Sequence, residues 1–370
     1  MTVPQDIERK ATERSNIEFA LSQLSDFKRT FDPVLVSFFK EEFSKIGGDI
    51  RQEATDLLKE GYEFVLSGGK RLRPAFMYFG YVASGGEPND SIIKASLSVE
   101  LFHSGALILD DIIDHSDLRR GRPTVHKVIA ENIGDEDLGE GVAIIAGNTL
   151  IALAGKSLSS FPADNETMRA ARELYDQMGM EINYGQYLDM IGNVTGDVDI
   201  DWIMKVMEYK TARYTIEKPL LIGASLAGAS KEVLQALSDY AIPLGVAFQL
   251  HDDILGMFGD EEKVGKPVDS DLKEGKKTLL ILETIQRLGI SGRVDDIARI
   301  NSILGNHDLS DQDYKWVQNI IVETDTLNYC REIAEQLIVK SKQSLENVSI
   351  NPEAKKYLLG IADYMLTREK

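Results

Sequence analysis

The chain has 370 residues, 43% of them hydrophobic, a composition that excludes an intrinsically disordered protein. Its 60 acidic and 41 basic residues give a formal net charge of −19. Such a charge argues against a nucleic-acid-binding protein, because that class needs a basic surface. The single cysteine, Cys330, excludes an internal disulfide framework and fits a reducing compartment.

Neither a secretory signal nor a membrane anchor is evident in the sequence. Residues 1–15 lack the apolar core of a signal peptide. Residues 141–155 are free of ionisable side chains, but this stretch is shorter than the roughly 20 apolar residues of a membrane-spanning helix. We therefore expect a cytoplasmic protein with no transmembrane segment and no nucleic-acid partner.

Helical periodicity dominates the chain from residue 31 onwards, whereas strand signals are almost absent. The earlier residues are mostly polar, so we expect an N-terminal extension over residues 1–30 and one domain over residues 31–370. The helices are predicted at 31–43, 50–66, 74–83, 92–114, 142–157, 166–190, 202–227, 231–258, 278–288, 316–345 and 352–366. This pattern predicts an all-α fold, a single bundle of ten or more helices around a central cavity.

Three carboxylates interrupt the most apolar of these helices. The segment 95–113 is apolar around most of its circumference, which is typical of a helix in the middle of a bundle. The predicted helix 92–114 ends in Asp110, Asp111 and Asp114, which lie on one side of the helix. Clustered carboxylates repel one another, and Mg²⁺ takes oxygen ligands of this kind together with substrate phosphate. The cluster predicts a magnesium site.

A second apolar helix, 243–258, carries a similar group, namely Gln249, Asp252 and Asp253. Gln249 lies one turn before the acid pair, so the amide and the carboxylates face the same way. Two buried helices that each present an aspartate pair predict a shared metal cluster across the bundle.

Basic residues surround both acid clusters in an otherwise acidic chain. Gly68 and Gly69 precede Lys70 and Arg73 in a turn whose backbone N–H groups can cradle a phosphate. Further basic and polar candidates follow at Arg119, Arg120, Lys210, Thr211, Lys266 and Lys276. Carboxylates with Mg²⁺ on one side and Lys or Arg on the other are suited to binding a diphosphate.

These segments resemble the trans-isoprenyl diphosphate synthase (polyprenyl synthetase) family, most closely its bacterial geranylgeranyl-type members. The resemblance covers residues 64–278. The motifs that carry it are GGKRLRP at 68–74, LFHSGALILDDIID at 101–114, RRGRPTVH at 119–126, YKTARYT at 209–215, FQLHDDILGMFGD at 248–260 and GKPVDSDLKEGK at 265–276. One departure is Gly256, at a position of the second acid motif that is often Asp in the family.

The resemblance implies a role for each matching residue. Positions that bind the diphosphate of isopentenyl diphosphate match Lys70, Arg73, His103 and Arg120. Positions that hold the allylic diphosphate match Arg119, Lys210, Thr211, Gln249, Lys266 and Lys276. Magnesium ligands match Asp110, Asp111, Asp114, Asp252 and Asp253, with three ions expected. The residues expected to contribute directly to catalysis are Asp110, Asp114, Arg119, Lys210 and Asp252.

The expected activity is the condensation of isopentenyl diphosphate with dimethylallyl, geranyl or farnesyl diphosphate, in a homodimer. The growing product needs an apolar tunnel below the first acid cluster. Phe102, Gly105 and Ala106 are the predicted chain-length residues, since small residues near Asp110 leave room for a product of about C20 or longer. A farnesyl or longer polyprenyl synthase and a non-catalytic regulatory subunit remain alternatives.

Two other enzyme classes fit the motifs less well. A terpene cyclase shares the first acid motif, but it has no need of a second diphosphate site such as 68–74. A metal-dependent phosphohydrolase would use His251 with Asp252, yet the five histidines of the chain are scattered.

Overall fold

A computed structural model describes residues 3–46, 52–119, 121–194, 198–259 and 268–368. The first half contains α1 (Val3–Ile46), α2 (Gln52–Leu66), α3 (Leu72–Ala83), α4 (Asp90–Ile113), β1 (Leu118–Arg119), β2 (Arg122–Pro123), α5 (Val125–Ile133), α6 (Glu136–Leu158) and α7 (Asn165–Val194). The second contains α8 (Ile200–Val206), a π-helix (Met207–Glu217), α9 (Lys218–Leu226), α10 (Lys231–Phe258), α11 (Ser270–Lys273), α12 (Leu279–Ile290), α13 (Val294–Ile303), α14 (Asp311–Glu323), α15 (Thr326–Ser344) and α16 (Pro352–Thr367). Apart from the small β1–β2 hairpin, the regular elements of the described residues are helices, which confirms the predicted all-α class.

The N-terminal helix α1 passes through residue 30 without a break, so the predicted boundary between extension and domain falls inside this helix. Ala20, Leu24 and Phe27 are buried on it. The backbone of α16 approaches α1 closely, because Gly360 has no side chain to meet the carbonyl of Asn16. Between residues 12 and 30, polar residues such as Glu18 and Asp26 lie on the exposed face of α1, which is consistent with the polar composition of this segment.

Two of the longest predicted helices are divided in the structure. The segment 202–227 becomes α8, the π-helix and α9, and the π-helix has hydrogen bonds one residue longer than those of an α-helix. The segment 316–345 becomes α14 and α15, which are separated at Asp325, where φ is 59°. Helices α5, α11 and α13 have no counterpart among the predicted helices.

Helix α4 lies in the centre of the bundle, as its apolar circumference predicts. Its N-terminus is capped by Asn89, whose side chain accepts hydrogen bonds from two backbone N–H groups. It packs tightly on α6, since a Cβ on Gly105 would lie 2.6 Å from the carbonyl oxygen of Gly147. The cavity described below lies beside this pair of helices.

Among the described residues, three helices are long and apolar enough, by length and composition, to cross a membrane: α4, α6 and α10. In the bundle, 72% of the apolar window of α4 is buried, compared with 39% for α6. Helix α6 therefore keeps a large apolar surface that the rest of the monomer does not cover.

Candidate active site

The two predicted acid clusters meet at one cavity of about 1080 Å³. Asp110, near the end of α4, and Asp252, near the end of α10, both line it. Lys210 and Arg119 line the same region of the cavity. The expected facing arrangement of the two acid-bearing helices is therefore present.

In the first cluster, Asp111 is the most buried carboxylate. Both the Nε and the Nη2 of Arg119 lie 2.6 Å from its Oδ1, whereas its buried Oδ2 has no hydrogen-bond partner among the described residues. Burial raises the pKa of Asp111 to about 6, against the opposing effect of Arg119. Burial, followed by repulsion from Asp110, raises the pKa of Asp114 to about 6 as well. The basic side chains of the described residues therefore do not fully offset the burial and mutual repulsion of these carboxylates.

In the second cluster, the two aspartates have different partners. Asp252 forms an ion pair with Arg368, which follows the last helix and stacks on the ring of Phe248. Asp253 is buried and accepts a hydrogen bond of 2.8 Å from Nε2 of Gln249. Burial, with the nearby charge of Asp271, raises the pKa of Asp253 to about 8.

The π-helix brings Lys210 and Thr211 to the cavity between these clusters. The Nζ of Lys210 lies 2.6 Å from Oδ2 of Asp189 and 3.9 Å from Oδ1 of Asp110. Burial disfavours its charge, but Asp189 and Asp110 outweigh this effect and raise the pKa of Lys210. The hydroxyl of Thr211 donates to Oε1 of Gln249 at 2.7 Å, which connects the π-helix to α10.

The glycine-rich turn before α3 forms a neighbouring cavity of about 570 Å³ lined by Lys70, Arg73 and His103. Gly68 and Gly69 have φ values of 125° and 153°, which a residue with a side chain rarely adopts. Three of the four residues predicted to bind isopentenyl diphosphate therefore line this cavity. The fourth, Arg120, lies outside the described residues. Arg73 and His103 also line the large cavity, so the two cavities adjoin.

Tyr214 contacts both His103 and Arg73 where the two cavities meet. Its hydroxyl lies 2.8 Å from Nδ1 of His103, and the guanidinium of Arg73 lies 4.7 Å from its ring centroid. The guanidinium of Arg73 also donates to Oγ1 of Thr215 at 2.8 Å. Burial raises the pKa of Tyr214, so its hydroxyl stays protonated near neutral pH.

Lys276 lines a third cavity, of about 380 Å³, together with Asp252 and Lys210. It lies 2.7 Å from Glu274 and 3.7 Å from Asp271. Burial opposes its charge, but Asp271 and Glu274 raise the pKa of Lys276. The predicted Lys266, and Asp260 at the end of the second motif, lie outside the described residues.

The carboxylate oxygens of the two acid clusters are ligands that suit a hard divalent cation such as Mg²⁺. In this structure, carboxylates of both clusters form ion pairs with arginine side chains. No group of three His, Cys, Asp or Glu side chains within the described ranges is gathered closely enough to hold a metal alone. Asp111 and Asp252 instead turn towards Arg119 and Arg368. The partnerless Oδ2 of Asp111 and the carboxylate repulsion at Asp114 leave room for added positive charge.

Below the acids, the cavity is lined by Ala106 and Phe102, as predicted. Gly105 does not line it, which corrects the expectation that this glycine keeps the cavity open. Gly105 instead faces α6, where Gly147 and Ile151 leave no space for a side chain. Its small size serves the packing of two helices.

Several residues of the site were not found from the sequence. Arg368 is separated from Asp252 by 116 positions, and no pattern marked it. Asp271 lies within the motif at 265–276, which by itself implies no role for it, yet its Oδ2 lies 3.1 Å from the position of a Cβ on Gly256. Its carboxylate therefore adjoins the place where relatives often have an aspartate. Asp189 belongs to a long helical pattern outside the motifs, and Tyr214 lies within the motif at 209–215, which by itself implies no role for it.

Comparison with known proteins gives the same assignment. The family model described as polyprenyl synthetase matches residues 55–321. A geranylgeranyl diphosphate synthase of Methanosarcina mazei is 35% identical over 316 residues, which cover 85% of this chain and 90% of that protein. A geranylfarnesyl diphosphate synthase of Aeropyrum pernix is 33% identical over 311 residues, which cover 83% of this chain and 92% of that protein.

The fold comparison agrees over nearly the whole chain. The crystal structure of geranylgeranyl pyrophosphate synthase from Corynebacterium glutamicum, complexed with isoprenyl diphosphate and magnesium, has a TM-score of 0.86 and 32% identity. The aligned region covers 93% of this chain and 99% of the Corynebacterium glutamicum chain. The chain is a prenyltransferase and belongs to the polyprenyl synthetase family.

Proposed function

We propose that this enzyme condenses isopentenyl diphosphate with an allylic diphosphate, in a Mg²⁺-dependent reaction, to a linear prenyl diphosphate of about C20 or longer. The observation that carries the proposal is the cavity itself. Carboxylates and basic side chains surround its upper end, and helix faces that include Phe102, Ile151 and Tyr175 line it below. The names of the relatives from Methanosarcina mazei and Aeropyrum pernix support products of this length.

The allylic diphosphate binds between Asp110 and Asp252, where Arg119, Lys210 and Lys276 supply positive charge. Three Mg²⁺ ions held by Asp110, Asp111, Asp114, Asp252 and Asp253 would neutralise the diphosphate and so help it leave. The C1–O bond breaks, and both of its electrons leave with the diphosphate. The lysine and arginine side chains bind the departing group more strongly as its charge grows.

Isopentenyl diphosphate binds in the adjoining cavity, where Lys70, Arg73 and His103 hold its diphosphate. Its double bond attacks the allylic cation, so that a C4–C1 bond forms and positive charge moves to C3. A proton then leaves C2 to restore a double bond, and the released diphosphate accepts it. Thr211 and Gln249 line this end of the cavity, and their side-chain oxygen atoms would stabilise the cation.

The apolar wall protects the cation from water. Phe102 and Tyr214 pack with their ring centroids 5.9 Å apart, directly below the polar end of the cavity. An allylic chain that fills this space displaces water from the reacting carbon, which favours condensation over hydrolysis.

We further propose a cytoplasmic homodimer. Ile144 and Ile145 on α6, together with Tyr184 and Tyr187 on α7, are large apolar or aromatic side chains that the monomer leaves exposed. A second copy of the chain that covers this surface would bury the poorly covered face of α6. Light scattering on the purified protein tests this part of the proposal, and a monomer at micromolar concentration would contradict it.

A single assay tests the main proposal. The purified protein is incubated with Mg²⁺, isopentenyl diphosphate and dimethylallyl, geranyl or farnesyl diphosphate in turn, and the products are separated by chromatography. Linear prenyl diphosphates that require Mg²⁺ are expected. A cyclic hydrocarbon would indicate a terpene cyclase, simple phosphate release a phosphohydrolase, and an absence of turnover a regulatory subunit.

A further inference from the structure

We propose that Arg172, on α7, ends the product chain at about C20 by presenting a charged group to the hydrocarbon tail, the end of the chain remote from the diphosphate. This inference rests on the proposed function and specifies the residue that sets product length. Arg172 was not among the predicted chain-length residues, and it belongs to no motif.

The cavity does not end at Phe102. It follows one face of α6 from Asn148 to Ser159 and one face of α7 from Gln186 to Arg172. Helix α6 leads away from the acids, because its end at Ser157 bonds to the carbonyl of Lys94, at the far end of α4. Space therefore continues below the predicted floor residue.

Contacts between the helices place Arg172 below Phe102. The ring of Tyr175 packs edge-on against Phe102 with centroids 5.8 Å apart, and its hydroxyl lies 3.4 Å from the carbonyl of Ile151. The guanidinium of Arg172 lies one turn further along α6, 3.1 Å from the position of a Cβ on Gly155. Gly155 thus allows the arginine to lie against α6 and reach the cavity.

The charge on Arg172 ends the apolar section. Its Nε lies 2.9 Å from Oδ1 of Asp176, and 45% and 54% of the two side chains are exposed. Its guanidinium lies 5.1 Å from the ring centroid of Tyr175, so an aromatic surface gives way directly to a hydrated ion pair. A hydrocarbon chain pushed against this pair would strip water from charged groups, which is unfavourable.

The depth of the apolar section matches four isoprene units. From Asp110 to Phe102 along α4 is about 12 Å, and the further turn from Tyr175 to Arg172 adds about 4.5 Å. Three bonds of an extended chain span about 3.5 Å, so four units of four bonds span about 19 Å. Four units fit with slight bending, whereas a fifth would place its carbons on the guanidinium.

The experiment compares product lengths of Arg172→Ala, Arg172→Gln, Arg172→Lys and the unchanged enzyme with isopentenyl diphosphate, Mg²⁺ and farnesyl diphosphate. Arg169→Ala is the matched control, since Arg169 is an exposed arginine one turn earlier on α7 that does not line the cavity. We expect the ratio of C25 and longer products to C20 to rise about fivefold in the alanine and glutamine variants. The lysine variant, which keeps the charge, should stay close to the unchanged enzyme.

The outcomes separate the inference from the proposed function. An unchanged enzyme that makes no prenyl diphosphate would overturn both. An active enzyme whose product length is the same in Arg172→Ala, or shifts equally in Arg169→Ala, would overturn only the role of Arg172. Circular dichroism of the two neutral variants ensures that the comparison is made between folded proteins.

Discussion

The upper and lower ends of the large cavity are built on different principles. The upper end concentrates charge, with Asp110, Asp252, Arg119 and Lys210 contributed by separate elements. The lower part follows the faces of α6 and α7, which present mostly apolar or small side chains until Arg172. Charge at the upper end controls whether a reaction takes place, whereas the length of the apolar section, and the charge of Arg172 below it, control when elongation stops. Substitutions in the two regions should therefore affect different measurements.

The largest effect is expected at the upper end. Asp110→Asn removes a carboxylate from the shared cavity and should lower kcat about 10²–10³-fold, because charge stabilisation of the leaving diphosphate is lost. Steady-state kinetics with saturating Mg²⁺ measures this loss. The control is Asp117→Asn, since the Asp117 side chain is 78% exposed and forms a surface ion pair of 3.4 Å with Lys127. Equal losses in both variants would contradict a specific role for Asp110.

A substitution between the two helices that wall the cavity should change stability. Gly105→Ala places a Cβ against the carbonyl of Gly147, and the overpacking should lower the free energy of unfolding by about 1–3 kcal/mol. Gly141→Ala, on α6, meets open space and should instead be neutral or slightly stabilising. Chemical denaturation of the two variants measures the difference. If both variants unfolded at the same denaturant concentration, Gly105 would not be a packing residue.

At the meeting point of the polar cavities, Arg368→Gln should raise the KM for isopentenyl diphosphate about tenfold, because a charged hydrogen-bond donor is lost. Arg368 lines both smaller cavities and pairs with Asp252. Since its removal frees Asp252, the concentration of Mg²⁺ needed for half-maximal rate should fall in the same variant. Arg331→Gln, at an exposed arginine of α15, is the control. A lower kcat with unchanged KM would argue against this assignment.

The smallest effect on rate is expected in the lower cavity. Ala106→Phe narrows the apolar section one turn below Asp110, so products should shorten towards C10 and C15 while the rate of the first condensation changes less than about threefold. Chromatography of the products measures the shift. Ala170→Phe, at an exposed position on α7, should leave the product unchanged. An identical product distribution in Ala106→Phe would remove α4 from the elements that set length.

The sequence predicted the upper end of the cavity better than the lower end for a physical reason. Charged residues on apolar helices are conspicuous, so Asp110, Asp252 and Lys210 could be identified without coordinates. Long-range pairs leave no local pattern, which is why Arg368 was missed. A basic residue in the last few positions of a chain resembles an ordinary solvated end.

The lining of the lower cavity could not be predicted from the sequence of α4 alone, because α6 and α7 also contribute to it. Phe102 and Ala106 were placed correctly on the cavity side, but periodicity did not reveal that Gly105 faces α6. Arg172 occupies an ordinary position of an amphipathic helix, and its approach to the cavity depends on Gly155 in another helix. Helix existence was predictable, whereas contacts between helices required the three-dimensional arrangement.

The π-helix has a consequence for how the gene can vary. Its wider coil brings Lys210, Thr211, Tyr214 and Thr215 to the cavity together. The helix that follows is buried throughout, so it cannot rotate to absorb a change in length upstream. Deleting or inserting one codon in this segment would rotate Lys210 and Tyr214 about the helix axis and away from the cavity. Homologous proteins should therefore show amino-acid substitutions in the π-helix but no insertions or deletions.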